Sequence, residues 1–314
     1  MQIMTESTNT ADRTMKLSLI QVPFGLGAGR PGTEEGPESM MQIGLMRQLR
    51  KTAYEVASEH KVKVAAHPAA GAGEQGSLKY LAEVKEMGKL VAEQVSEEAS
   101  KGHLPLVLGG DHSVTIGVLA GMAAQAGKLG VIYFDAHPGL QTEETNKAGR
   151  IGSMSLAVAL GQAKLKLSEL NRDVIEDAIN KANVVLIGVR DVEPEERALI
   201  LGEGITVFTM HEIDRMGIEK VISKAVEIAG NGTDGIHVSF SADCLDPIEA
   251  PGVDIQVPGG LTYREAHFAC ELLAETGLIR SIDVVEVNSK LDESRRTARL
   301  AIGLIASLLG KRIL

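Results

Sequence analysis

The chain has 314 residues, a hydrophobic fraction of 44% and a formal net charge of −10. This charge disfavours binding to a phosphate backbone, and no apolar run approaches the roughly 20 residues that span a bilayer. A secretory signal is not evident, and the only cysteines, Cys244 and Cys270, give no disulfide framework. We therefore expect a cytoplasmic protein that binds neither nucleic acid nor membrane.

Apolar runs and helical segments alternate along the chain. Residues 1–14 are polar and patternless, which predicts a disordered tail before a single domain over 15–314. Eight runs rich in Val, Ile and Leu predict strands at Lys16–Phe24, Val62–His67, Pro105–Gly109, Leu129–Asp135, Val184–Val189, Ile205–Thr209, Ile236–Phe240 and Ile279–Val287. Helices are predicted at Leu78–Ser100, after the capping box Thr262–Glu265, and at Ser294–Leu309. This alternation indicates one α/β domain with right-handed crossovers.

Ionisable residues stand at the ends of four predicted strands. They are Asp111 and His112, Asp135 and His137, Asp243, and Glu286. In an open parallel sheet, ligands bind beyond the carboxyl ends of the strands. Because divalent metals accept such a mixture of oxygen and nitrogen donors, the pattern predicts a metal site at this edge.

Each of these residues alone also has a structural explanation. Taken alone, His112 is better explained as a hydrogen-bonded turn histidine, and Asp243 is equally well explained as a cap of the following turn. Asp135 and His137 are two residues apart and point the same way if the strand continues through them. Glu286 lies in a strongly apolar strand, where it needs a partner or becomes protonated. Their combination at successive strand ends favours a functional site.

Several long motifs resemble the arginase/agmatinase (ureohydrolase) family, and arginase in particular. In chain order they are Gly32–Pro37, Gly109–Ser113, Asp135–His137, Ile187–Val192, Ser239–Pro247, Gly259–Glu265 and Val285–Asn288. The resemblance covers nearly everything from residue 17 onward. It implies a three-layer α/β/α domain with an eight-stranded parallel sheet, assembled as a homo-oligomer, a trimer or a hexamer.

The resemblance also implies a dinuclear metal site. Active members of the family hold two manganese ions about a bridging hydroxide, which attacks a guanidinium carbon and releases urea. The motifs place His112, Asp135, His137 and Asp243 at metal-ligand positions. They place Glu286 where the family faces the substrate guanidinium.

This chain departs from the family at several of those positions. Gly139 and Ser241 stand where the family has ligand aspartates, and Gly152 stands where arginases have a proton-shuttle histidine. At the contacts to the amino-acid end of the substrate, four residues differ: Gln141 replaces an Asn, Ala148 a Ser, Arg150 another Asn and Glu193 an Asp. Gln141 and Glu193 are therefore the candidate substrate-binding residues.

The departures limit the predicted cofactor. Two nearby dications repel each other unless anionic ligands surround them, so a full dinuclear manganese centre is not expected. Asp135, His137 and Asp243 still form a three-ligand set with an open position, as catalytic zinc sites do. We therefore expect either no metal or one divalent metal, manganese or zinc, at these three residues.

Three functions are compatible with this pattern. The joint changes at Gly139, Gly152 and Ser241 favour a pseudoenzyme, which binds a small guanidino or amino-acid ligand or forms a hetero-oligomer with an active relative. The alternatives are a one-metal hydrolase of a guanidine or amide, and an arginase with weakened activity.

Overall fold

The computed structural model describes residues 15–64, 74–75 and 78–312. The strands are β1 Met15–Gln21, β2 Tyr54–Lys61, β3 Glu74–Gln75, β4 Leu78–Lys79, β5 Leu104–Leu108, β6 Leu129–Phe134, β7 Ile179–Val189, β8 Thr206–Thr209, β9 Ile236–Ser241 and β10 Ile279–Val285. Eight of them form a sheet in the order β2-β1-β5-β10-β9-β6-β7-β8, in which every neighbouring pair is parallel. Strands β3 and β4 pair antiparallel with each other.

Helices cover both faces of this sheet. They are α1 Gly36–Gln42, α2 Leu45–Leu49, α3 Leu81–Ser100, α4 Val114–Ala123, α5 Ser155–Ala159, α6 Pro194–Glu203, α7 Met210–Met216, α8 Ile218–Ala229, α9 Tyr263–Glu275 and α10 Arg296–Leu308. Among the described residues, none of these helices is long and apolar enough to cross a membrane.

The core is divided into two layers by the sheet. Successive side chains of a strand point to opposite faces, so Val131 and Tyr133 of β6 pack with α3 and α4, whereas Ile132 and Phe134 pack with α8 to α10. The predicted three-layer α/β/α fold with an eight-stranded parallel sheet is thereby confirmed.

One predicted strand is wrong. The second strand of the chain is β2, Tyr54–Lys61, and not Val62–His67. Strand β2 lies at the edge of the sheet and alternates between half-buried and exposed side chains, so it has no apolar run. Residues 62–64 follow the strand, and residues 65–67 lie outside the described residues, as does the tail predicted at 1–14.

The helix predictions hold with shifted ends. The capping box is confirmed, because Thr262 Oγ1 accepts a hydrogen bond from Glu265 N and Glu265 Oε2 accepts one from Thr262 N. The helix predicted from Leu78 begins at Leu81, because Leu78–Lys79 pair as a strand. The last helix begins at Arg296, after a short 3-10 turn, Glu293–Arg295.

The strand order places the predicted site residues together. Strands β5, β10, β9 and β6 are consecutive in the middle of the sheet. The residues that follow their carboxyl ends are the ionisable ones: Asp111 and His112, Glu286, Asp243, and Asp135 and His137. The loop after β5 packs so closely that a side chain at Gly110 would overlap the carbonyl oxygen of Phe24. Glycine at this position therefore lets Asp111 and His112 reach the edge of the sheet.

Candidate metal centre

A cavity of about 220 Å³ opens at the carboxyl edge of the central strands. The predicted metal-ligand residues His112, Asp135, His137 and Asp243 line it, as do Glu286, Gly139, Gly152, Gln141 and Glu193. Ser241 lies behind the wall of the cavity, where its hydroxyl donates a hydrogen bond to Asp243 Oδ1 over 2.6 Å. The structure thus brings the predicted metal ligands together with Glu286, Gln141 and Glu193, whereas Asp111 is not part of the lining and accepts hydrogen bonds from Gly27 N and Ser113 N.

Three of these side chains converge closely enough to hold a metal ion. One ligand atom from each of Asp135, His137 and Asp243 lies within 4.8 Å of the others. His137 Nδ1 is 3.2 Å from Asp135 Oδ1 and 3.2 Å from Asp243 Oδ2. Neighbouring ligands of a tetrahedral zinc ion with bonds of 2.0–2.1 Å are about 3.3 Å apart. This group, which we name the metal group, therefore fits a divalent cation.

The second nitrogen of His137 has a different environment. His137 Nε2 is buried without a hydrogen-bond partner, and it lies 3.7 Å from Asp191 Oδ2. Histidines that bind metals commonly have a carboxylate near the other ring nitrogen, which fixes the orientation of the ring. Asp191 therefore lies near this nitrogen without forming a hydrogen bond to it.

The electrostatics of the metal group favour a bound cation. Burial opposes ionisation of Asp135, but hydrogen bonds from His112 and His137 outweigh it and lower its pKa. Burial and the charge of Asp135 raise the pKa of Asp243. Burial disfavours a charged His137, yet hydrogen bonds to both carboxylates raise the pKa of His137 to about 11. Two buried carboxyl groups thus share one imidazolium, and a bound metal ion would replace the proton on its Nδ1 while keeping the imidazole as a ligand.

Glu286 is held beside this group in an unusual conformation. Its φ of 64° lies in the left-handed region, which a non-glycine residue adopts only at a cost of roughly 1–2 kcal/mol. Its Oε1 accepts a hydrogen bond of 2.8 Å from His112 N. Burial and the carboxylates of Asp111 and Asp243 raise the pKa of Glu286 well above its usual value. Such strain at a buried acid next to a cavity is typical of functional positions.

The side of the cavity around His112 is filled by hydrogen-bonding side chains. His112 Nδ1 lies 2.7 Å from Asp135 Oδ2 and 3.1 Å from Tyr133 Oη, and the two rings stack at 4.5 Å. Tyr133 Oη is also 2.7 Å from Ser155 Oγ. A Cβ at residue 139 would lie only 2.7 Å from Tyr133 Oη and 3.0 Å from Ser155 Oγ. The phenol and the hydroxyl therefore occupy the space next to Gly139.

Besides Asp191, the sequence analysis missed Tyr133 and Arg190 as residues of the site. Tyr133 lies two residues before Asp135, so the alternation of the strand could have placed both side chains on one side. Arg190 is the other: its guanidinium donates hydrogen bonds to the carbonyls of Asp243, Cys244, Leu245 and Val257, which fixes the loop that carries Asp243. No sequence signal identifies those partners, because they lie 53 to 67 residues away along the chain.

A parallel three-layer domain with a carboxylate and imidazole cluster at its central strand ends defines an α/β protein whose described residues could hold a metal ion. The chain belongs to the arginase family, whose model matches residues 15–310. The arginases of Bacillus caldovelox and Brevibacillus brevis are each 40% identical to it, over 95% of this chain and 99% of each relative. The solved structure of the Bacillus caldovelox arginase has a TM-score of 0.90 and covers 96% of this chain and 100% of its own. That of Entamoeba histolytica arginase in complex with L-ornithine, at 27% identity, has a TM-score of 0.84 and covers 94% of this chain and 98% of its own.

The predicted pseudoenzyme is wrong. Arginases from two organisms match this chain at 40% identity over nearly its whole length. The chain also retains an Asp–His–Asp group whose ligand atoms converge as a metal site requires. The prediction weighed the changes at Gly139, Gly152 and Ser241 too heavily. From the same sequence, Asp135, His137 and Asp243 were expected to form a three-ligand set, and their convergence counts against an inactive site. These findings favour the alternative, a hydrolase.

Proposed function

We propose that this protein is a one-metal hydrolase that cleaves a C–N bond of arginine or a related guanidine or amide, releasing urea or an amine. The observation that carries the proposal is the convergence of Asp135, His137 and Asp243 on one point at the carboxyl edge of the sheet. When bound there, manganese or zinc supplies Lewis-acid activation of water at neutral pH. Relatives named arginase match this chain over nearly its full length, which supports the same reaction class.

The surroundings of His112 support a single metal. A second metal next to His112 would need further anionic ligands, and the nearby positions 139 and 241 carry a glycine and a serine. Tyr133 Oη already contacts His112 Nδ1, and Ser241 is hydrogen-bonded to Asp243. Both groups are neutral, so they do not offset the repulsion between two dications.

The protein's own residues bind and orient the substrate. The described lining of the cavity includes seven carboxyl groups, those of Asp135, Asp191, Glu193, Glu196, Asp243, Asp254 and Glu286. A cavity with this charge attracts a cationic guanidinium. Glu286 faces the guanidinium, because it lies beside the metal group and retains one carboxyl oxygen that does not bind His112 N. Gln141 and Glu193 contact the other end of the substrate.

The experiment is a hydrolysis assay on the protein loaded with manganese or zinc, with arginine, agmatine and simple guanidines as substrates. We expect product with at least one substrate, and a loss of at least about 100-fold in kcat/KM in Asp243→Asn. Asp214→Asn, a change on the exposed side of α7, is the matched control and should leave kcat/KM unchanged. No product from any substrate, or full activity in Asp243→Asn, would contradict the proposal.

The oligomeric state of the protein is predicted from the family resemblance alone. The homo-oligomer, a trimer or hexamer, and the hetero-oligomer with an active relative both stay predictions from the family resemblance. Light scattering on the purified protein distinguishes a trimer from a hexamer.

A further inference from the structure

A second cavity, of about 580 Å³, lies at the edge of the sheet opposite the metal group. It is lined by the residues that begin strands β1, β2, β5 and β10, namely Met15, Tyr54, Leu104 and Ile279. The metal group follows the carboxyl ends of strands in the same parallel sheet, so the two sites do not overlap. Ligand-binding cavities of proteins usually measure about 300–1,000 Å³. We name this cavity the amino-edge recess.

The interior of the amino-edge recess is apolar. Helices α3, α4, α9 and α10 end around it, and each contributes an apolar side chain from its last turn: Ala99, Met122, Ala274 and Leu308. Apolar surface of a ligand that enters such a cavity is removed from water, which favours binding. The interior is therefore suited to a hydrocarbon chain.

Three glycines keep the recess open. Gly102, Gly277 and Gly310 stand two residues past the ends of α3, α9 and α10, at φ values of 75°, 64° and 74°. A Cβ at any of the three would have no atom within 4 Å, so these positions border open space. Their backbone N–H groups donate to carbonyls in the last turns of the same helices. The helix ends thus already have hydrogen-bond donors of their own.

Three polar side chains of the recess are engaged by the protein itself. His103, Gln125 and Asp234 each form a hydrogen bond of 2.8 Å within the chain. Asp234 carries the only carboxylate in the described lining, and its Oδ2 accepts from a backbone N–H. These three side chains therefore do not define what the recess binds.

Three other side chains of the recess are donors that lack an acceptor. In the part of the chain that the structure describes, Lys16 Nζ and Tyr54 Oη have no hydrogen-bond partner and Lys16 forms no ion pair. Arg280 Nη1 donates to the carbonyls of Gly277 and Ile279, whereas Arg280 forms no ion pair with a described carboxylate. Lys16 and Arg280 are exposed and Tyr54 is half-buried, so the donors are available to a ligand at the mouth.

These donors select the head group of a ligand. A carboxylate accepts hydrogen bonds from a guanidinium, an ammonium and a phenol, and those from the cations are the stronger ones. An amine would instead meet the two cations Lys16 and Arg280, while the carboxylate of Asp234 is already engaged. The recess therefore favours a carboxylate that carries an apolar chain.

We propose that the amino-edge recess binds a free alkyl carboxylate. The head group contacts Arg280, Lys16 and Tyr54, and the alkyl chain fills the apolar interior between the helix ends. This inference goes beyond the proposed function, because it concerns a separate site at the other edge of the sheet. Binding there needs no turnover.

The test uses calorimetry on the full-length, metal-loaded protein with octanoate, octanol and octylamine as probes. The three probes share a chain of equal length and differ in the head group. We expect octanoate to bind at least about 10-fold more tightly than the other two, since hydrogen bonds to a charged group contribute more than neutral ones. Equal binding of the three would overturn the inference. So would no binding of octanoate, which is the result expected if a second copy of the chain covers the recess.

Variants locate the binding. Arg280→Gln should weaken octanoate by about 10-fold or more and leave octanol unchanged, whereas Arg280→Lys should keep part of the affinity. Arg215→Gln, a change at an exposed arginine of α7, is the matched control and should alter neither ligand. Asp243→Asn should also leave octanoate binding intact, because the metal group lies at the other edge. Octanoate binding that falls in Asp243→Asn and not in Arg280→Gln would overturn the inference.

Discussion

Two of the buried carboxylate clusters in the described part of the chain differ in where their positive charge comes from. The first surrounds Glu98, a completely buried residue near the end of α3. Its carboxylate accepts hydrogen bonds from Lys101 Nζ over 2.7 Å and Ser58 Oγ over 2.6 Å, and contacts His103 Nδ1 at 2.8 Å. Burial opposes its ionisation, but these partners hold the pKa of Glu98 well below its usual range.

The metal group is similarly buried, but its negative charge is compensated differently. Asp135 and Asp243 contact His137, and neither has an ion pair with a lysine or arginine in the described part of the chain. A buried carboxylate alone therefore does not indicate a function. The cluster around Glu98 is neutralised by the protein itself, whereas the metal group lacks a fixed cation and is suited to receive one.

The largest expected difference between the two clusters concerns metal affinity. His137→Asn should weaken manganese or zinc binding by at least about 100-fold, because it removes one of only three ligands. His103→Asn changes the same residue type in the Glu98 cluster and should leave the affinity unchanged. Competition with a metal-binding dye measures both, and equal affinities in the two variants would remove the distinction between the clusters.

In the absence of metal, a change in the Glu98 cluster should destabilise the protein more than a change in the metal group. Glu98→Ala should lower the free energy of unfolding by about 1–3 kcal/mol, since it leaves Ser58 Oγ, Lys101 Nζ and His103 Nδ1 without their shared acceptor. Asp243→Asn should cost little or even stabilise the metal-free protein, because it removes one of two adjacent buried carboxyl groups. Urea unfolding in the presence of a chelator measures both changes. A larger loss of unfolding free energy in Asp243→Asn than in Glu98→Ala would show that the charges of the metal group are already compensated in the metal-free protein.

Acid should lower the free energy of unfolding because it protonates the Glu98 carboxylate. Because its pKa is lowered in the folded state, the unfolded chain binds the proton first, and the stabilisation is complete above the unfolded pKa of about 4.3. It is lost as the pH falls further towards the folded pKa, by up to about 1.4 kcal/mol per pH unit. The difference in unfolding free energy between wild type and Glu98→Gln should therefore shrink below about pH 4. A constant difference from pH 6 to pH 3 would contradict this assignment.

Sequence reasoning was most successful where one local pattern determines the structure. Apolar runs identified the central strands, and the two-residue spacing of Asp135 and His137 indicated their common direction. Strand β2 escaped because an edge strand that alternates with charged residues has no apolar run. The convergence of Asp243 with Asp135 depends on strands β9 and β6 being neighbours, which is a property of the whole sheet.

The smallest expected effect concerns the His112 side of the metal group. Gly139→Asp introduces a side chain at a φ of 66° and against Tyr133 Oη, whereas Gly232→Asp introduces one at a φ of 69° with no atom within 4 Å. Both variants carry the same backbone strain at positive φ. Gly139→Asp also places a side chain against Tyr133, so its free energy of unfolding should be about 1 kcal/mol lower than that of Gly232→Asp. Adding Tyr133→Phe, which removes the contacting oxygen, should recover this difference. Equal stabilities of the two aspartate variants would mean that Tyr133 does not fill the space beside residue 139.

The most direct test of the one-metal site is a count of bound metal ions per chain. Native mass spectrometry, after loading with manganese or zinc and desalting, gives this number for wild type and for Asp243→Asn. We predict one ion per wild-type chain and none in Asp243→Asn. Two ions per chain, or none in the wild type, would contradict the account.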